Sequence, residues 1–160
     1  MGMRALVITF LIAIPVLAQS DEYHGPTPPK SDVPYLLHAS NLIETERTEA
    51  HSESKKSDQL YWVEGDSSSV RTPLAEPIFI IKIDKLNADK IELYKFDVNK
   101  KRRELVLKER PGRNDAHPLH MQVTRLGKGL YKLEVSETLP NGQYSLSPQG
   151  SDTVFAFEVY

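Results

Sequence analysis

Along most of the chain, apolar and polar positions alternate with a period of two. Ile91, Leu93 and Lys95 fall on one parity, and Glu92, Tyr94, Phe96 and Val98 on the other. Leu105 and Leu107 alternate with Glu104, Val106 and Lys108, and Leu119, Met121 and Val123 with His120, Gln122 and Thr124. The same holds for Tyr131, Leu133 and Val135, and for Phe155, Phe157 and Val159. Side chains at i and i+2 share a face only in an extended chain, so each run predicts a strand with one buried face. Ile78–Ile81 is apolar at every position, which suits a central strand covered on both sides. Leu36–Ala50 is ambiguous: Glu44, Glu46, Arg47 and Glu49 form helices well, whereas Thr45 and Thr48 favour a strand. Turn residues separate the runs at Asn99-Lys100-Lys101, Gly127-Lys128-Gly129, Pro140-Asn141-Gly142 and Ser147–Asp152. The pattern gives about eight or nine short strands and no long capped helix. The expected fold is all-β, a two-layer antiparallel sandwich. A small closed β-barrel with an internal apolar cavity is the alternative. No internal repeat is visible, which argues against solenoids and propellers.

Leu139-Pro140-Asn141-Gly142-Gln143-Tyr144-Ser145-Leu146 resembles the Leu-x-Pro-Gly-x-Tyr approach to a late strand in immunoglobulin-like and fibronectin III-like domains. The resemblance implies an immunoglobulin-like sandwich. The Tyr144 hydroxyl would bond back to nearby backbone at a tyrosine corner, and Leu146 would point into the core. The chain departs from that pattern in lacking paired cysteines and in placing Asn141 between proline and glycine. A plain hairpin with Asn141-Gly142 as its loop is the alternative. A hairpin pairs the Val135 strand with the Tyr144 strand; a corner puts them in different sheets. Trp62 is the candidate core tryptophan.

The N-terminus reads as an address. Arg4 precedes the apolar run Ala5–Ile14, Pro15 breaks it, and Val16-Leu17-Ala18 sets small residues before a cut at Gln19. Met1–Ala18 is therefore expected to be a signal peptide, too short in its apolar part to span a bilayer. Gln19–Pro34 carries four of the 11 prolines and is expected to be an extended spacer, with a docking strap as the alternative. Residues 35–160 then form the folded domain. No second long apolar segment follows, so no transmembrane segment is expected in the mature chain. With no cysteine, disulfides and thiolate chemistry are excluded. No Asn-x-Ser/Thr sequon occurs either. Both absences suit an exported bacterial protein, periplasmic or extracellular.

Net charge is −2, which offers no global attraction to nucleic acid. Its distribution is uneven: Gln19–Glu76 has 11 acids and 5 bases, while Lys82–Arg113 has 11 bases and 6 acids. Lys100, Lys101, Arg102 and Arg103 cap a predicted hairpin and form a candidate patch for an anionic glycan or surface. The bland reading is a solvated tip that protects a strand edge. No aromatic residue interleaves with this run, which argues against single-stranded nucleic acid. Asp115, His117 and His120 are the one compact group of metal-ligand types, although i and i+3 diverge on a strand. Ser67-Ser68-Ser69 lacks the Gly-x-Ser-x-Gly context of a nucleophile elbow, and no phosphate-cradling glycine loop occurs. The expectation is an exported non-enzymatic binding or adaptor module without a cofactor, its partner a protein or an anionic glycan. A small metal-dependent hydrolase using Asp115, His117 and His120 is one alternative. A hydrophobic ligand carrier, if the fold is a closed barrel, is another.

Overall fold

The computed structural model describes residues 23–160. The signal-peptide reading of Met1–Ala18 lies outside the described residues. The strands are β1 (Pro34–His38), β2 (Asn41–Glu44), β3 (Glu46–Glu49), β4 (His51–Lys55), β5 (Asp58–Glu64), β6 (Arg71–Thr72), β7 (Ile78–Lys82), β8 (Ile91–Asn99), β9 (Arg102–Lys108), β10 (Met121–Gly127), β11 (Leu130–Val135), β12 (Gly142–Pro148) and β13 (Thr153–Val159). Among the described residues the one helical element is a 3₁₀ turn at Ala88–Lys90, and no helix is long and apolar enough to cross a membrane. The fold is all-β, as the alternation predicts. The strands outnumber the expected count because the Leu36–Ala50 region divides into three, and because β4 and β6 lack alternation to read. Every position of β4 is exposed, and β6 has two residues.

Two sheets form. One orders β10-β11-β7-β1-β2, all antiparallel. The other orders β3-β13-β12-β8-β9-β5-β4, with β6 added in parallel beside β13. Ile78–Ile81 lies in β7, between β11 and β1, and Phe79, Ile80 and Ile81 are all buried. Facing side chains of the two sheets make the main core: Leu36, Phe79 and Leu133 from one, Leu93, Tyr144, Leu146, Phe155 and Phe157 from the other. Phe79 meets Phe157 across the layers at 4.9 Å between ring centroids. β11 and β12 lie in different sheets, and the Tyr144 hydroxyl donates to the Pro140 carbonyl at 2.5 Å. That is corner geometry, and it replaces the hairpin alternative.

The eight-stranded sheet carries a second core on its other face, from Val63, Tyr94, Phe96, Leu105 and Val154. Along β8, Leu93 faces the main core and Tyr94 and Phe96 the second one. β3 and β4 end the strand order, yet only Ala50 separates them in the chain. One continuous segment can border both ends only if the sheet curls, so the sheet forms a half-barrel with the second core on its concave face.

The arm is described from Tyr23. Pro28 and Val33 are buried, and Lys30 pairs with Glu44 at 2.8 Å. The Asp32 carboxylate accepts backbone N–H bonds from Asp84, Lys85 and Leu86. Those bonds fasten the Lys30–Pro34 end of the arm to the fold.

Candidate functional site

The concave face has a sealed end and an open end. Arg103, from β9, seals one. Its side chain is 1% exposed and meets Glu46 of β3 through two hydrogen bonds, at 2.8 and 3.1 Å. It also donates to the carbonyls of Glu64 and Gly65. A planar guanidinium presents donors in a fork that matches a carboxylate, which lets one side chain tie β9, the end of β5 and β3 together. Burial pushes the Glu46 carboxyl up, but bonds from Arg103, Ser68 and the Ser69 backbone outweigh it and hold the group below its ordinary value. Beside this clamp, buried Gln143 accepts the Ser68 backbone N–H at 2.8 Å.

At the other end the concave face opens into a cavity of about 150 Å³. The β8–β12 register orders its wall: Phe96 stands opposite Gln143, Tyr94 opposite Ser145, and Glu92 opposite Ser147. Phe96 is therefore deepest, towards the sealed end, and Glu92 is nearest the mouth. Leu105, Leu107, Tyr61 and Val154 complete the apolar wall, and the Pro148–Asp152 turn forms the rim. Glu92 accepts from the Tyr94 hydroxyl at 2.9 Å and from Gln149 Nε2 at 2.7 Å. Burial and the adjacent Glu92 carboxylate push the Tyr94 hydroxyl well above the usual phenol range, so it remains a neutral donor. A second hollow of about 330 Å³ lies beside the arm, between Asp32, Arg47 and Lys85. It is larger but more polar, and three backbone donors already hold its Asp32 carboxylate.

None of the residues singled out in the sequence as site candidates lines this cavity. Lys100 and Lys101 form the exposed two-residue turn between β8 and β9, with φ of 47° and 65°. Arg102 pairs with Glu104 at 2.9 Å and lies over the Trp62 ring, 5.1 Å from its centroid. Arg103 is the buried clamp. The four basic residues therefore do not form one exposed patch. Trp62 is half-buried on β5 and stacks on His51 at 5.4 Å, so it lies outside both cores. An aromatic ring does adjoin the basic hairpin, brought there by strand pairing and invisible to local interleaving.

Asp115 pairs with Lys108 at 2.7 Å and accepts the Gly112 N–H. The Lys108 and Gly112 bonds hold its carboxyl below the usual range. The His117 ring contacts the Asp115 carbonyl, whereas the His120 backbone N–H donates to Glu137 at 2.6 Å. Among the described residues no group of three His, Cys, Asp or Glu side chains stands where it could hold a metal ion.

Sequence reasoning missed the cavity. Its signal lies in β8, where Tyr94 and Phe96 occupy one parity and Ile91 and Leu93 the other. A strand apolar on both parities needs cover on both faces, and an outer strand of a simple sandwich has cover on one. Arg103 carried a signal too, because it shares parity with Leu105 and Leu107. No known family, curated protein or solved structure matches the chain.

Proposed function

We propose that the protein is an exported, non-enzymatic binding module with an immunoglobulin-like sandwich, and that the open end of its curled sheet takes an apolar group of a partner. The cavity carries this reading, with its floor of Phe96, Leu105 and Val154 and its rim of turn residues. Size favours one binding reading over the others. About 150 Å³ admits a single ring, comparable with cavities that hold benzene. Drug-sized ligands occupy roughly 300–1,000 Å³, which disfavours a carrier of large hydrophobic molecules. One apolar anchor in a desolvated pocket is, by contrast, how protein interfaces concentrate their affinity. The Tyr144–Pro140 bond supports the immunoglobulin-like identity. Arg4 and the run Ala5–Ile14 support export, and processed protein should begin at Gln19 by mass.

The test uses toluene as the probe, followed by ligand-observed NMR. Wild-type protein should bind it. Ala50→Phe, which places a ring in the cavity wall, should abolish binding while a cooperative melting transition remains. A wild-type protein that takes up no toluene overturns the reading.

A further inference from the structure

We propose that the cavity selects an organic ammonium ion carried on a short apolar stem, with the apolar end deep and the cation at the mouth. The proposal rests on the cavity being a binding site and adds the class of ligand. Three observations carry it.

The first is charge. The cavity is lined by Glu92 and Asp152 but by no lysine, arginine or histidine. Both side-chain donors on Glu92, the Tyr94 hydroxyl and the Gln149 amide, are neutral, so its negative charge stays uncompensated by them. A carboxylate has about four acceptor positions, and these donors leave room for another. The second is aromatic content. Tyr61, Tyr94 and Phe96 line the same space and give the apolar end of such a ligand aromatic surface to pack against. The third is direction. Glu92 lies at the mouth and Phe96 at depth. A lysine side chain entering from a partner would put its ammonium deepest, against Phe96 and far from Glu92. The polarity fits the reverse arrangement, in which an aromatic or branched group leads and the ammonium follows one or two bonds behind. A small arylalkylamine has that shape, and so does a peptide N-terminus whose first side chain is apolar.

Benzylammonium, benzyl alcohol and benzoate share nearly one shape and differ in charge. Titrated into the full mature chain, benzylammonium should bind about tenfold more tightly than benzyl alcohol, in line with charge-assisted hydrogen bonding. Benzoate should bind weakest. Glu92→Gln should remove the ammonium's advantage over benzyl alcohol, with Asp152→Asn as a second, rim-located variant. Phe-Gly-Gly and its N-acetylated form separate the sources. Binding of the free-amine peptide alone assigns a chain terminus, and binding of benzylammonium without either peptide assigns a small amine. Equal affinity for benzylammonium and benzyl alcohol overturns the proposal and leaves the binding reading standing. So does an ammonium preference that survives both substitutions. Failure of all these probes, with toluene also unbound, removes both.

Discussion

Arg103 and Glu46 are unequal partners. Arg103 is 1% exposed, while Glu46 retains 23% exposure. Removing the carboxylate leaves a buried guanidinium facing only the Glu64 and Gly65 carbonyls, and removing the guanidinium leaves a carboxylate that water can reach. Glu46→Ala should therefore cost about 3–5 kcal/mol, the usual range for an uncompensated buried charge, and Arg103→Met distinctly less. Urea midpoints at neutral pH read both; equal losses would contradict the asymmetry. Proton linkage gives a second readout. The folded Glu46 carboxyl lies below its ordinary value of 4.5, so its stabilisation is present above that pH and is lost as pH falls through the folded value. Arg103→Met should flatten that acid-side loss. Arg103 also shows how far a sequence can be read at this scale. Its parity with Leu105 and Leu107 marks an inward side chain, while its position in Lys100–Arg103 suggests a surface run. The carboxylate that settles the matter lies on β3, brought near by the curl, and no local pattern announces it.

At the scale of elements, the β8–β9 hairpin turns without glycine. Lys100 and Lys101 both adopt positive φ, the left-handed geometry that a two-residue hairpin needs to match the twist of its strands. A side chain there costs about 1 kcal/mol per residue relative to glycine. Lys101→Gly should thus stabilise the domain by about 0.5–1 kcal/mol, seen as a higher melting temperature with ammonium binding unchanged. An unchanged or lower melting temperature would mean that the turn is unstrained. β13 is the opposite case, an element with no slack. It pairs with β12 on one side and with β3 and β6 on the other, and it buries Val154, Phe155, Phe157 and Val159. Fully burying side chains of this kind is worth roughly 1.5–3 kcal/mol each. Deleting Thr153–Tyr160 should therefore leave the chain unfolded, and a native-like melting transition in the truncated protein would refute this. Strands such as β13 were legible because one face is apolar and the other less so. β4 was not, because its exposed side chains carry no parity and its position comes from pairing with β5.

For the molecule as a whole, the shared sheet is the decisive feature. β8 sends Leu93 into the main core and Tyr94 and Phe96 into the second, and β13 sends Phe155 one way and Val154 the other. Neither core can lose its strands without stripping the other. The sandwich and the half-barrel should accordingly unfold as one unit, although they resemble two modules. Phe79→Ala, in a side chain with no exposure, should cost about 3–5 kcal/mol. Phe96→Ala should cost less, since one side of that ring already borders a cavity and has fewer contacts to lose. Both variants should nevertheless shift a single transition. Trp62 fluorescence reports from β5, within the curl, and far-ultraviolet circular dichroism reports from both sheets together. Their thermal curves should coincide in wild type and in both variants. Separation of the two curves in Phe96→Ala would show that the half-barrel opens while the sandwich holds. The cavity would then belong to a part able to unfold locally, and any ligand it took up would have to order that part as it bound.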